Sequence, residues 1–377
     1  MGELIYLEYI VKLVLYLVFI AMFFLISKYK FSSLFMRVNT FGHVYKNNKK
    51  LGFYLIFLVS LLFGIYSVYV SKFPYVKDRG NYAYRFVGDY PDYWTTGLRV
   101  IVDFLHIFTH DPKWLFFTVT FLSVLLFLIV YCWEDNATWK TLVLLVSSSS
   151  LVYSFYLLKQ VLSIVFCALA LTAFLKKRWF LTIVFTFMAI LFHESAIIII
   201  PFMVMLLFAK KRWMRMLFAI TSVICICSFS NMTRIGIQLL GKIFPVIIAE
   251  ISRYLDDTGG IAISSNIMTV FKGFPYYIIT IYGFIKRPEL KNRIKNYDEL
   301  LMISMFGSFT ILMSYYMYWM WRLGAFCYFH IFLFVDQLST YSKKTREGQM
   351  FFVIVFFSLS FLTLRYLAMI LFNAGGF

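Results

Sequence analysis

Two polar pairs interrupt a long apolar stretch of the chain, and they are the first candidates for chemistry. Lys159-Gln160 and His193-Glu194 both lie within residues 159–211. Ionisable groups inside an apolar run are costly unless they are paired or face water, which favours a functional role. A lysine can bind an anion, and an imidazole can accept a proton near neutral pH. The two pairs therefore predict a site that combines a cation with a proton acceptor.

Each of these groups also has a structural interpretation. His193-Glu194 could hydrogen-bond the backbone at a helix break, and Lys159 could extend to lipid headgroups. Arg322 beside two tryptophans could anchor a helix at the membrane interface. The Asp and Tyr residues of 78–93 could form a solvated face. None of these motifs is specific when taken alone.

Composition places the chain in a class of protein. The sequence is 62% hydrophobic and only 14% charged, which excludes a soluble domain of 377 residues. Its apolar runs are continuous, which indicates helices and not an alternating barrel pattern. The net charge of +18 is distributed in short basic clusters between apolar runs, as in membrane proteins, so no nucleic-acid partner is expected. We predict an all-α polytopic membrane protein with about twelve transmembrane helices, including short or re-entrant pairs.

The basic clusters also predict the orientation of the chain, because such clusters stay in the cytoplasm. The clusters are Lys28–Lys50, Lys176–Arg178, Lys210–Arg215, Lys286–Lys295 and Lys343–Arg346. Two of them flank His193-Glu194, so the chain must turn back there, inside the outer leaflet. Both termini and residues 71–113 are then extracytoplasmic. We expect one integral membrane domain over residues 1–377, with an outer amphipathic or half-inserted segment at 71–113 and an outer loop, able to act as a lid, at 230–266.

The predicted spans follow from the apolar runs. They are about Leu4–Ile26, Leu51–Val70, Trp114–Trp133, Thr141–Leu158, Val161–Leu175, the hairpin arms Trp179–Phe192 and Ser195–Ala209, Met214–Phe229, Ile267–Ile285, Leu300–Met317, a span opened by Arg322, and Gln349–Phe372. The serine run Ser147–Ser150 falls within one span, where serines can bond helix carbonyls or let another helix approach. The five cysteines show neither metal-ligand spacing nor a disulfide framework.

This topology places most of the polar candidates near the outer face. The candidates are Asp78-Arg79, Asp89, Lys159-Gln160, His193-Glu194 and Arg322. Cations there can hold a diphosphate, and a carboxylate or imidazole can take a proton from an attacking hydroxyl. Neighbouring tyrosines and tryptophans can support sugar rings or form the interfacial aromatic belt.

The order of these features resembles the EpsG family, relatives of the Wzy-type polysaccharide polymerases. The resemblance covers about residues 50–340 and rests on four short motifs. They are Asp78-Arg79-Gly80-Asn81-Tyr82 with Asp89-Tyr90, then Lys159-Gln160, then His193-Glu194-Ser195-Ala196 with Pro201, and finally Arg322 with Tyr328-Phe329. The family usually has arginine where this chain has Lys159, so the charge is kept and the bidentate geometry is lost.

The resemblance implies a GT-C-like architecture and a polymerase of undecaprenyl-diphosphate-linked oligosaccharide repeat units. It acts at the outer face of the bacterial cytoplasmic membrane, where the same kind of lipid-linked unit serves as donor and acceptor. A metal-independent, inverting glycosyltransferase without a cofactor is expected. Membrane lipids and a chain-length regulator are further expected partners. The product is left open among O-antigen, capsule and exopolysaccharide.

The resemblance also implies roles for the candidates. The expected catalytic residues are His193, Glu194 and Asp78; the diphosphate ligands are Arg322, Lys159 and Arg79; the substrate-binding residues are Gln160, Tyr82, Asp89, Tyr90 and Trp319. His193 is favoured as the proton acceptor or the ligand of the acceptor hydroxyl, with Asp78 as the alternative base. No metal ligands are assigned.

Two other functions use similar residues. A flippase or transporter of lipid-linked sugars would use the same basic cavity without a base, and would place polar groups at several depths, including the inner half. A membrane acyltransferase acting on polysaccharide would place its histidine toward the cytoplasmic donor, which this topology disfavours.

Overall fold

The structure, a computed structural model, describes residues 45–70, 77–88, 90–148, 150, 153–155, 157–227, 273–314, 320–342 and 345–372. Its α-helices are α1 (Tyr45–Val70), α2 (Lys77–Val87), α3 (Thr96–His106), α4 (Lys113–Trp133), α5 (Trp139–Ser147), α6 (Leu158–Leu175), α7 (Trp179–Phe192), α8 (Ile199–Leu207), α9 (Arg212–Cys227), α10 (Phe274–Leu290), α11 (Tyr297–Met313), α12 (Trp321–Ala325), α13 (Tyr328–Tyr341) and α14 (Thr345–Phe372). Short 3₁₀ turns cover Pro91–Tyr93, Tyr153–Phe155 and Glu194–Ile198. These residues include no strand, so the all-α prediction is confirmed.

Several of the described helices are strongly apolar. Three are long and apolar enough to cross a membrane: α4, with a mean hydropathy of 2.6, α6, with 2.0, and the Arg346–Leu364 part of α14, with 1.7. Shorter apolar helices cover Ile56–Val68, Trp179–Phe192 and Glu194–Leu207. An apolar helix of about twenty residues matches the hydrocarbon thickness of a bilayer. The chain is therefore built as a helical membrane protein.

Several predicted spans agree with the observed helices. Helix α7 has the predicted bounds, and α4 begins one residue before the predicted start. The predicted second hairpin arm is divided between the 3₁₀ turn Glu194–Ile198 and α8. The predicted first span and the 230–266 loop lie outside the described residues.

The predicted span Thr141–Leu158 is not one continuous helix. Helix α5 ends at Ser147, and Ser148 is extended, with φ −88° and ψ 160°. The Ser148 hydroxyl donates to the Leu145 carbonyl at 2.8 Å and bonds the Ser150 hydroxyl at 2.8 Å. Such local hydrogen bonds compete with the helix ladder, so the serine run ends the helix.

The span that Arg322 was expected to open is also interrupted. Helix α12 ends at Ala325, and α13 begins only at Tyr328. The described residues form two compact units, and the single integral membrane domain stays a prediction. Unit 1 comprises the described parts of residues 1–200 and 328–377, and unit 2 comprises those of 201–327.

In unit 1, the helices around α6 share a common end. The Thr120 hydroxyl of α4 donates to the Ser154 carbonyl at 3.1 Å, just before α6 begins. The Ser163 hydroxyl of α6 donates to the Ala189 carbonyl of α7 at 2.8 Å. The starts of α4 and α6 and the end of α7 therefore lie together, at what we call the Lys159 end.

The opposite end of unit 1 is identified by Lys176 and by a buried carboxylate. Lys176 follows α6, hydrogen-bonds the Trp133 carbonyl at the end of α4, and pairs with Asp135 at 3.1 Å. Asp336 of α13 is fully buried and accepts hydrogen bonds from the hydroxyls of Thr138 and Thr141, each at 2.7 Å. The carboxylate thus lies at the N-terminus of α5, where the helix dipole favours negative charge.

In unit 2, α10 packs on α11 through hydroxyl groups. The Thr280 hydroxyl lies 2.8 Å from those of Ser304 and Ser308. Arg287 forms a two-bond contact with Asp298, at 2.7 and 3.1 Å. These bonds hold α10 against α11 at two positions along the length of the pair.

Candidate functional site

Two cations lie against the ring of Tyr93 at the Lys159 end. The Lys159 ammonium is 3.8 Å from the ring centroid and donates to the Tyr93 carbonyl. The Arg85 guanidinium is 5.2 Å from the same centroid and 4.7 Å from that of Tyr90. Each cation is attracted to the ring, whereas the two like charges repel each other. An anion bound at this position would relieve that repulsion.

Aromatic side chains surround the cation pair in two groups. Tyr82 stacks on Trp94 at 6.0 Å, and both are buried. Tyr84 stacks on Tyr90 at 5.6 Å, and both are exposed. The hydroxyls of Tyr84 and Tyr90 lie 3.1 Å apart, and this hydrogen bond raises the pKa of Tyr90. The exposed pair is thus available to a sugar ring, whereas Tyr82 belongs to the interior of the segment.

Arg79 occupies a different environment from Lys159 and Arg85. Its side chain is only 3% exposed, and its guanidinium lies 3.9 Å from the ring centroid of Phe116. It donates to the carbonyl of Ser67 at 2.8 Å and to that of Phe155 at 2.5 Å. Burial lowers the pKa of Arg79 to about 9, so the group keeps its charge at neutral pH. Arg79 therefore ties α2 to the end of α1 and to the turn before α6.

His193 ends α7 and caps the turn that follows. Its backbone is extended, with φ −157° and ψ 119°. The Ser195 N–H donates to His193 Nδ1 at 3.3 Å, and the Ser195 hydroxyl lies 2.7 Å from the same nitrogen. Because a backbone N–H can only donate, Nδ1 is the acceptor, and a neutral ring carries its proton on Nε2. The ring then presents an N–H group.

The start of α3 lies between Lys159 and His193. Tyr93, which contacts Lys159, is three residues before α3, and Gly97 is in its first turn. A Cβ at Gly97 would lie 3.0 Å from the Phe192 ring and 3.1 Å from the Leu191 carbonyl. A side chain at this position would require its neighbours to shift by a few tenths of an ångström, and glycine lets α3 lie close to the end of α7 without that shift.

The structure brings most of the predicted site residues to the Lys159 end of unit 1. They are Arg79, Tyr82, Tyr90, Lys159, Gln160, His193 and Glu194. Gln160 is buried and Glu194 is exposed. Asp78 lies in the first turn of α2, and Asp89 and Trp319 lie outside the described residues.

Arg322 belongs to unit 2. It lies in α12, with its guanidinium carbon 5.7 Å from the ring centroid of Trp321. The sequence analysis assigned no individual role to Arg85, Tyr93 or Ser195, although Ser195 stands in one of the motifs. A signal existed for Arg85, because residues 82 and 85 share one face of a helix and Tyr82 was already a candidate. No cluster of three metal-ligating side chains occurs among the described residues.

The fold and the site together define a class, a helical membrane protein with a cation- and tyrosine-rich site at one end of its apolar helices. Residues 50–374 match the EpsG family, and the chain belongs to that family. The resemblance read from the short motifs is thereby confirmed. Membership fits, in general terms, an exopolysaccharide polymerase. No curated protein and no solved structure matches the chain.

Proposed function

We propose that this protein is a polysaccharide polymerase that joins undecaprenyl-diphosphate-linked oligosaccharide repeat units at the outer face of the bacterial cytoplasmic membrane. The observation that carries the proposal is the placement of Lys159 and Arg85 on one tyrosine ring at the end of apolar helices. A diphosphate leaving group gains negative charge as its bond breaks, and fixed cations stabilise that charge. Membership of the EpsG family supports the class of product.

The reaction is a glycosyl transfer between two lipid-linked units. The bond between the anomeric carbon of the donor and the diphosphate oxygen breaks, and a hydroxyl oxygen of the acceptor sugar bonds to that carbon. The hydroxyl proton passes to a base, and polyprenyl diphosphate leaves. Attack opposite the leaving group inverts the anomeric centre. Lys159 and Arg85 would stabilise the diphosphate, so the proposed transfer is metal-independent.

We propose that Arg79 positions the site and does not bind the diphosphate. Its two terminal nitrogens are already committed to the Ser67 and Phe155 carbonyls. Arg85 takes its place as a diphosphate ligand, because its guanidinium lies beside the same ring as Lys159. A guanidinium can bind two oxygens of one phosphate, which compensates for the single-point charge of Lys159.

His193 is proposed to bind the acceptor hydroxyl. Because Nδ1 accepts from Ser195, a neutral ring can donate only through Nε2–H. This geometry favours the ligand role over the base role that the sequence also allowed. Asp78 and Glu194 are the carboxylates proposed as bases.

The exposed Tyr84–Tyr90 pair is proposed to support the incoming oligosaccharide. Stacked tyrosines present flat apolar faces and hydroxyls that suit a sugar ring. Membrane lipids and a chain-length regulator remain proposed partners, and the identity of the sugars is left open.

A flippase of lipid-linked oligosaccharides is the second candidate function. It requires polar groups at several depths, and Asp336 and His330 are buried toward the Lys176 end of unit 1. However, Asp336 is satisfied by Thr138 and Thr141 at the start of α5, which favours a packing role. The polymerase therefore remains the better-supported proposal.

Reconstitution tests the proposal against this alternative. Purified protein in proteoliposomes is supplied with one defined undecaprenyl-diphosphate-linked repeat unit, and the products are separated by size. A polymerase produces a ladder whose steps equal one repeat unit, and the Lys159→Ala variant produces it about a hundredfold more slowly. Translocation of the substrate without a ladder would assign the flippase function instead.

A further inference from the structure

Helix α3 has three distinct faces. Leu98, Val102 and Leu105 are buried. Arg99 and Asp103 are exposed and lie 3.6 Å apart. At about 100° per residue, the three buried side chains and the charged pair lie on different sides of the helix.

The third face of α3 is apolar and exposed. Val100, Phe104 and Ile107, the residue that ends the helix, are 66%, 59% and 73% exposed, and Phe108 follows at 72%. Phe104 and Phe108 are in edge contact at 5.4 Å. We call these four residues the α3 stripe. A helix with a packed face, a charged face and an exposed apolar face is typical of one lying in a membrane interface.

Each end of α3 lies near the start of a membrane-crossing helix. At the N-terminal end this helix is α6, and at the C-terminal end it is α4. Tyr93, three residues before α3, accepts a hydrogen bond from Lys159 in the first turn of α6. Five residues after the stripe, Lys113 begins α4, where its N–H donates to Asp111 at 3.0 Å. Trp114 beside it is exposed, as is common where a span meets headgroups. We therefore expect the axis of α3 to run along the surface of the membrane.

We propose that the α3 stripe contacts the lipid hydrocarbon of the leaflet at the Lys159 end, with Arg99 and Asp103 directed to the headgroups and water. Four residues, Thr109–Pro112, separate the stripe from α4, whose first turn carries the exposed Trp114. Lipid hydrocarbon is the medium in which four large exposed apolar side chains at this depth are stable. This inference does not depend on the proposed polymerase reaction.

A second copy of the chain is a less suitable occupant of the stripe. The helix has 11 residues, so it is about 16 Å long and about 10 Å across. The α3 stripe supplies four side chains, whereas a stable protein interface takes about 20–30 residues and about 800 Å² on each partner. Lipid chains need no such minimum area.

The proposal implies a lateral entrance that leads from the lipid leaflet to the Lys159–His193 region. The N-terminus of α3 lies beside Tyr93 and Gly97, which contact Lys159 and Phe192 respectively. A lipid-borne molecule moving in that leaflet would therefore meet α3 before it reached the Lys159–His193 region. Its polar head would not have to pass through bulk water.

Spin labelling in proteoliposomes tests the inference without an activity assay. Single cysteines are placed at 100, 104 and 107 on the stripe, and at 99 and 103 as controls, after the native cysteines are replaced. Each nitroxide is then exposed to oxygen, which concentrates in lipid, and to nickel–EDDA, which stays in water. The sites on α3 are exposed, so the labels need not disturb packing, and gel filtration confirms that each variant is folded.

The expected result is a strong oxygen effect and a weak nickel effect at 100, 104 and 107, at a depth of about 5–10 Å below the headgroups. The controls at 99 and 103 should show the reverse. Strong nickel collisions at the stripe would mean that it faces water, which would overturn the proposal. Weak collisions with both reagents, relieved when the protein is diluted in lipid, would assign the stripe to a second copy and would also overturn it.

Discussion

Tyr93 is the residue on which the proposed diphosphate site depends. Its carbonyl and its ring both bind Lys159, and its ring also contacts Arg85. The two cations come from different helices, α6 and α2, so the 3₁₀ turn that carries Tyr93 brings them together. The cation–π attraction between one ring and each cation is weak, at about 0.5–2 kcal/mol. A bound diphosphate would hold both cations more strongly, through charge-assisted hydrogen bonds.

We predict that Lys159→Ala lowers kcat/KM for the lipid-linked donor about a hundredfold, the usual scale for loss of a charge-stabilising group. Lys159→Arg should retain much of the activity, because it keeps the positive charge beside Tyr93. Polymerisation by purified protein is the measurement, with Arg99→Ala as a matched control, since Arg99 is an exposed arginine paired with Asp103. Normal kinetics in Lys159→Ala would remove Lys159 from the diphosphate site.

We predict that His193→Ala reduces turnover about a hundredfold at saturating donor. Ser195→Ala should reduce it less, because Ser195 only orients the ring through Nδ1. The pH profile of kcat separates the two roles of His193. If His193 only binds the acceptor hydroxyl, the acidic limb of the profile belongs to a carboxylate and survives in His193→Gln. Disappearance of that limb would instead make His193 the base.

We predict that Arg79→Ala destabilises the protein by about 2–4 kcal/mol, because it leaves two buried carbonyls without their donor. Thermal unfolding in detergent should show a Tm several degrees lower than that of the parent chain. Arg85→Ala is the control, since Arg85 is only partly buried and should change activity more than Tm. A parental Tm together with a complete loss of donor binding in Arg79→Ala would restore Arg79 as a ligand.

The close packing of α3 on α7 is the element-level feature that holds the site together. Gly97 approaches the backbone carbonyl of Leu191, which cannot move aside as a flexible side chain can. This approach places Tyr93 and His193 on either side of the same helix start.

We predict that Gly97→Val separates α3 from α7 and costs about 1–3 kcal/mol through overpacking. Activity should fall more than stability, because the displacement moves Tyr93 away from Lys159. Tm and polymerisation are measured together, with Thr96→Val as the control at an exposed neighbouring position. Unchanged activity in Gly97→Val would show that the α3–α7 contact does not position the site.

The lengths of the apolar runs predicted the bounds of some helices accurately. Helices α4 and α7 were found within a residue, because an uninterrupted apolar run between polar residues has few other solutions in a membrane protein. The break after Ser147 was missed, because the same serines can also pack within a continuous helix. Only the actual partners of the Ser148 hydroxyl, Leu145 and Ser150, distinguish the two outcomes.

The sequence predicted which candidate residues lie near one another, but it did not predict the contacts that each side chain makes. The positive-inside rule placed Lys159, His193 and the 71–113 segment at one level, and the described parts of that segment do lie at the Lys159 end. It could not predict that Arg79 is buried, since its acceptors are carbonyls at Ser67 and Phe155, distant in the sequence. Nor could it predict that Ser195 occupies Nδ1 of His193.

For the whole molecule, the orientation in the membrane is still a prediction, and cysteine labelling checks it. Asp92→Cys and Arg178→Cys are made in a chain without native cysteines, because both positions are exposed and flank opposite ends of unit 1. In intact spheroplasts, an impermeant maleimide should label position 92 and spare position 178. The reverse pattern would invert the topology and move the site to the cytoplasmic side.

The most direct test of the central claim is the stoichiometry of the reaction in the reconstituted protein. Purified protein is given one repeat unit labelled in both the sugar and the polyprenyl diphosphate, and the two labels are followed together. We predict that one polyprenyl diphosphate is released for every repeat unit joined, and that Lys159→Ala releases it about a hundredfold more slowly. Movement of the intact, doubly labelled substrate across the bilayer, without any release of polyprenyl diphosphate, would contradict the polymerase assignment.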